Sequence, residues 1–172
     1  MIFATCGSSH LPFDRMMTAL GGLNGSDLHV QHGPAAPPPA VRTDPFLSFA
    51  EVVERIQQAD VVISHAGVGS ILCALRAGHT PIVFPRLKRY SETVDDHQAE
   101  LARALVRRGA VLVAWSPDEL IEAVERVPPR GGVARMDSGR LHTAVRAAIN
   151  GEPLQLRGNG HQLPSAGACA EH

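Results

Sequence analysis

The stretch "ISHAGVGSILCALRAG", residues 63–78, decides the fold. Its first residues close an apolar run, Asp60–Ser64, of the length and composition of a buried strand. Two glycines, Gly67 and Gly69, then make a turn, and Ser70–Ala77 has the spacing of a helix. Gly78 follows as a natural residue for the left-handed position that ends a helix. A strand that passes through a glycine turn into a helix is half of a βαβ unit.

The same rhythm runs outward in both directions. Ile2–Cys6, Leu28–Gln31, Pro81–Phe84 and Ala110–Ala114 read as four more strands. Phe13–Leu20, Phe49–Gln58, Asp96–Arg108 and Pro117–Arg126 read as helices, the last with Ser116 as its cap and Pro117 at its first position. Strands alternating with helices predict an α/β domain: a Rossmann-like parallel sheet with helices on both faces. Residues 1–150 are expected to form this domain, with a last helix near Ser138–Ile149, and residues 151–172 a flexible tail. Residues 33–45, "GPAAPPPAVRTDP", read as a proline-rich surface loop.

Composition narrows the function. The chain has 172 residues, enough for one domain with a real core, and its 44% hydrophobic and 19% charged residues are those of a globular protein. A net charge of -1 gives no electrostatic basis for binding nucleic acid. The opening "MIFATCGSSH" lacks the basic start of a secretory leader, and polar residues interrupt the longest apolar run. Three cysteines (Cys6, Cys73, Cys169) without metal-ligand spacing point to a reducing cytosol and to no metal or other cofactor.

Three polar clusters fall where strands end. In a parallel sheet, ligands bind beyond the carboxyl ends of strands, where helix N-termini point free amides at anions. Gly67 and Gly69 let backbone approach a ligand, and Ser70 either caps the helix or donates to a phosphate oxygen. A tight turn with a capping serine accounts for these residues as well as a phosphate site does. "CGSSH" (6–10) ends the first strand in a similar way, without the G-x-G-x-x-G dinucleotide fingerprint. After the fourth strand, "PRLKRYSETVDDHQAELA" (85–102) has a basic loop with Arg86, Lys88 and Arg89, and then Asp95, Asp96, His97 and Gln98. Asp95 and Gln98 have capping-box spacing, so a helix start and a shared ligand site both fit.

Taken together, "GSSHLPFDR" (7–15), "VQHG" (30–33), "FLSFAEVVERIQQADVVISHAGVGSI" (46–71), "ALRAG" (74–78) and "VFPRLKRYSETVDDHQAELA" (83–102) resemble the donor-binding half of GT-B glycosyltransferases of the family 28 C-terminal-domain type. The resemblance extends to their split relatives, the catalytic subunit of the dolichol-diphosphate GlcNAc transferase and the small subunit of bacterial exopolysaccharide glycosyltransferases. It covers roughly residues 1–125 and implies the C-terminal half of a GT-B fold and an inverting hexosyltransferase that uses a UDP-sugar.

By the same resemblance, Gly67, Gly69 and Ser70 would bind the diphosphate, and Phe49 and its neighbours would lie beside the uracil. His97 and Gln98 would approach the sugar, and Gly7 and Ser8 would line the cleft. His65 matches the histidine usual in the split relatives, or hydrogen-bonds inside the fold. Arg86 would neutralise phosphate or stay on the surface. The candidates for a general base are His10, Asp14 and His65. The implied partners are a nucleotide-sugar donor, a lipid-linked acceptor and a membrane-anchored subunit that recruits a cytoplasmic chain to the inner membrane face.

Cys73 departs from the family. Its members usually read "SILEAL" at this point, with a glutamate that accepts hydrogen bonds from the ribose, whereas a thiol is a weak acceptor. Two readings therefore stand beside that of an active subunit: a degenerate nucleotide-sugar-binding module, and a Rossmann-like domain for another phosphorylated metabolite.

Overall fold

The computed structural model describes residues 1–23 and 26–131. Six parallel strands form one sheet: β1 (Ile2–Thr5), β2 (Leu28–Gln31), β3 (Arg42–Asp44), β4 (Val61–Ser64), β5 (Ile82–Val83) and β6 (Leu112–Val113). Their order is β3-β2-β1-β4-β5-β6, so the chain winds outward from β1 in one direction and then, from β4, in the other. Among the described residues four α-helices lie between strands, α1 (Asp14–Gly21), α2 (Phe49–Gln58), α3 (Val68–Arg76) and α4 (His97–Val106), and a fifth, α5 (Pro117–Arg126), follows β6. The expected helix near Ser138–Ile149 and the tail 151–172 lie outside the described residues.

Strand alternation sorts the core into two layers, because successive side chains leave a strand on opposite faces. Ile2, Ala4, Ile63, Ile82 and Phe84 pack with Met16 and Leu20 of α1 and Leu120 of α5. Phe3 and Val62 face the other way, against Ile56 of α2 and Ala74 of α3. Val83 packs with Ile71 of α3 and Leu101 and Leu105 of α4 on that same side. Covered on both faces, β1 and β2 are buried at every residue, the polar Thr5, His29 and Gln31 included.

The structure departs from the sequence reading in two places that matter. The proline-rich stretch 33–45 was expected to be a loop, yet it ends in β3, an edge strand paired with β2 in register His29–Arg42, Val30–Thr43 and Gln31–Asp44. A three-residue, largely exposed strand carries no hydrophobic pattern; backbone pairing and the His29–Asp44 contact of 2.7 Å hold it. The helix after β4 also begins two residues early. Gly67 has extended backbone angles (φ -78, ψ 128) and caps α3, so Ser70 lies inside the first turn and is not the cap.

Candidate functional site

The carboxyl ends of the three central strands carry a row of buried polar residues. Gln31 of β2, Thr5 of β1 and Ser64 of β4 are paired across the sheet, and each is at most 2% exposed. This row lies where the winding reverses, between β1 and β4, and an open α/β sheet places its ligand crevice there. Above the row is a cavity of about 430 Å³. Thr5 and Gln31 form its floor, and Gly7 and Ser8 of the β1–α1 turn one rim. His65, Gly67, Gly69, Ser70 and Cys73 form the α3 wall, and Leu47, Phe49 and Val52 the apolar α2 wall.

The two walls differ in chemistry. The first amides of α3 have no partner inside the helix and carry the positive end of its dipole. The Ser70 hydroxyl, one turn in, has no protein partner among the described residues and opens on the same space. On the opposite wall Ser48 caps α2 through a reciprocal pair with Glu51, which fixes the start of the helix. Phe49 follows at once, 72% exposed, with its ring free to cover a planar group.

His65 explains two of the glycines. A Cβ on either Gly7 or Gly67 would overlap the His65 ring, so the imidazole is held between two bare backbones. Gly7 also has φ +76, which an L side chain rarely adopts. Gly69 is different. A Cβ there would meet nothing within 4 Å, and its φ is ordinary, so this glycine faces open space in the cavity. The sequence treated Gly67 and Gly69 as equivalent; only Gly69 keeps the wall clear for a ligand.

Desolvation pushes the His65 imidazole down to about 4, although its hydrogen bond to a Thr5 carbonyl opposes the shift. At neutral pH the ring is therefore neutral. Its Nδ1–H donates to Thr5 O at 3.3 Å, and Nε2 is left as a lone pair. The linked stability has a definite sign. The pKa is lower in the folded state than the ordinary value of about 6.5, so this stability is fully present above pH 6.5 and is lost as pH falls toward 4. The contribution is on the order of 3 kcal/mol. Melting temperature should therefore drop more steeply between pH 6.5 and 4 for the native chain than for His65→Gln. Parallel curves would show that the imidazole is not what titrates.

Cys73 belongs partly to each of two surroundings. It lines the cavity and also packs against the cluster containing Phe3, Ile56 and Val62. Partial burial pushes its thiol up, so it is neutral at ordinary pH. His65 and Cys73 are the only titratable side chains lining the cavity among the described residues, and neither is charged at neutral pH. An anion there would be met by dipoles and hydroxyls rather than by a cation.

The other expected site residues lie elsewhere. Arg86 is 1% exposed, neither a surface residue nor a free cation for phosphate. Its Nη1 donates to the carbonyls of Leu11, Pro12 and Glu92, and its Nη2 to that of Cys6. Arg86 thus fastens the loop after β5 to the β1–α1 turn. Gln98 takes part in this fastening by accepting the Arg86 amide N–H at 3.2 Å. The Asp95–Gln98 capping box does not form: Asp95 accepts from the His97 amide, and Asp96 stands at the cap. His97 is 74% exposed, 3.0 Å from Asp95 and outside the cavity lining. Asp14 opens α1 and lines a separate groove beside prolines 37–39. His10 is exposed and does not line the cavity.

Four lining residues were not anticipated: Thr5, Gln31, Leu47 and Val52. Thr5 and Gln31 had a visible signal, a polar residue near the carboxyl end of a short strand. Among the described residues no group of three or more His, Cys, Asp or Glu could hold a metal ion, and no helix is long and apolar enough to cross a membrane.

A parallel sheet that winds outward in both directions, with a cavity at its reversal point between a helix N-terminus and an aromatic wall, defines a Rossmann-like class of α/β domain. Residues 26–146 match the glycosyltransferase family 28 C-terminal domain, and the chain belongs to that family. It is 39% identical over 70 residues to the UDP-N-acetylglucosamine transferase subunit ALG13 of Yarrowia lipolytica, a match covering 41% of this chain and 34% of that protein. It is 47% identical over 70 residues to the ALG13 subunit of Cryptococcus neoformans, again covering 41% and 34%. The match thus spans about a third of the length of these relatives. Among solved structures, the calicheamicin glycosyltransferase CalG4 aligns with 87% of this chain and 38% of its own, at TM-score 0.55 and 17% identity. MurG of Acinetobacter baumannii aligns with 87% of this chain and 45% of its own, at TM-score 0.52 and 21% identity. These structures share the fold, the Rossmann-like half of a GT-B glycosyltransferase.

Proposed function

We propose that the chain is the donor-binding subunit of a two-part inverting glycosyltransferase that uses a UDP-sugar and a polyprenyl-linked acceptor. The observation that carries this reading is the cavity at the β1–β4 reversal, with dipole and hydroxyl donors on one wall and Phe49 on the other. A diphosphate suits the α3 N-terminus, where fixed donors would stabilise the charge that develops on the leaving group. A uracil suits the face of Phe49. Membership of family 28 and the likeness to ALG13 subunits support UDP-GlcNAc as the donor.

The acceptor hydroxyl must also lose a proton, and among the described residues no strong base lines the cavity. His65 binds protons weakly, Cys73 is a neutral thiol, and Asp14 and His10 lie outside the lining. We therefore assign the base and the acceptor site to a partner, membrane-anchored and placed at the cytoplasmic face. Cys73 favours a second reading, a binding module that retains the donor site without turnover.

Both readings give the same expectation for the chain alone: weak binding of a UDP-sugar and little or no transfer. Transfer assays with and without the acceptor-binding partner separate them. Activity that requires both halves supports the subunit; binding with no activity in either case supports the module. Robust transfer by the chain alone would overturn the two-part scheme.

A further inference from the structure

The buried Gln31 side chain has more hydrogen-bonding capacity than the protein uses. The Gly7 amide donates to Thr5 Oγ1 at 3.1 Å, and Thr5 Oγ1 donates its one proton to Gln31 Oε1 at 2.6 Å. In this arrangement the amide oxygen faces Thr5, and its NH2 group is turned away. That NH2 has no protein partner among the described residues, although Gln31 is only 2% exposed. It is not among the sealed-off polar atoms either.

The sheet shows where the group points. Gln31 is paired with Thr5, and Thr5 shares its face of β1 with Phe3, the face covered by α2 and α3. Gln31 therefore emerges on the side where those helices enclose the cavity, and it forms the cavity floor. An open amide donor, oriented by a buried relay and set in a cavity floor, is arranged for an acceptor atom. Buried polar groups are otherwise paired.

We propose that the Gln31 amide is a ligand contact that donates a hydrogen bond to an acceptor oxygen of the bound nucleotide. Thr5 is the positioning residue that fixes the amide. The inference rests on the donor-site reading above. Two oxygens have the right chemistry, a carbonyl of the base and an oxygen of the phosphate. Gln31 lies two strands from β4, roughly 10 Å at the usual spacing. It is thus nearer the nucleoside than the α3 N-terminus, and the base carbonyl is the expected partner.

Titrating the full chain and two variants with uridine, UMP and UDP tests this. Gln31→Met keeps the side-chain length and removes the donor; it should weaken UDP binding about three- to tenfold. Thr5→Val is nearly isosteric and releases the amide, so it should cause a smaller loss while leaving Gln31 in place. A loss that persists with uridine places the contact on the base; a loss confined to UMP and UDP places it on phosphate. Native binding with folded variants that match it overturns the proposal and leaves the donor site standing. If Gln31→Met does not fold, unchanged affinity in Thr5→Val overturns it equally. No UDP binding by the native chain overturns both the donor-site reading and this contact.

Discussion

Cys73→Glu should bind UDP at least tenfold more tightly than the native chain and remain folded. Cys73 lies on α3 three residues beyond Ser70, so the two side chains share a helix face on the cavity wall. The neutral thiol there is a poor acceptor, and no carboxylate lines the cavity among the described residues. A glutamate would lay its methylenes along the cluster that Cys73 already touches and carry its carboxylate into open space. One hydrogen bond between a carboxylate and a ribose hydroxyl is worth about 1.5–3 kcal/mol, or a factor of roughly ten to a hundred. Because a carboxylate can take both ribose hydroxyls, 2′-deoxy-UDP should gain much less. Were Cys73 purely a core residue, the substitution would bury an unpaired charge and destabilise the fold by several kcal/mol. Titration and thermal melting of this variant distinguish the outcomes. A stable Cys73→Glu protein with no gain in affinity would remove the ribose from this wall.

How far this site was legible in the sequence depends on what each residue's role required. Strand and helix periodicity located α2, β2 and α5 at their observed limits because each is set by local signals, such as Ser116 and Pro117 before α5. Edge strand β3 was hidden because it is held by pairing with β2, a partner distant in sequence, and its own residues are largely exposed. The glycine–serine turn was legible as the passage from β4 to α3, which lines the cavity, but the division of labour within it was not. Gly67 and Gly7 are glycine because of the His65 ring, and only a three-dimensional contact reveals that. Arg86 shows the limit most plainly. In sequence it belongs to a basic loop with Lys88 and Arg89, whereas in the fold its guanidinium is buried among four carbonyls, three from the β1–α1 turn and one from its own loop. His97, which the family resemblance carried to the sugar, is exposed beside Asp95 and outside the cavity.

The measurement that bears most directly on the account is a calorimetric titration of UDP into the native chain and into Gly69→Val, side by side. Gly69 is the second residue of α3, with ordinary backbone angles and open space where a side chain would project. Valine is also the better helix former of the two, so the variant should melt at or above the native temperature. The same branched side chain would occupy the place where phosphate oxygens must reach the first amides of α3. Losing two charge-assisted hydrogen bonds of about 1.5–3 kcal/mol each corresponds to a hundredfold loss of affinity or more. The native chain should bind UDP measurably, and a fully folded Gly69→Val protein should show no detectable binding. Equal UDP affinity in the two folded proteins would contradict this expectation and move the nucleotide away from this helix.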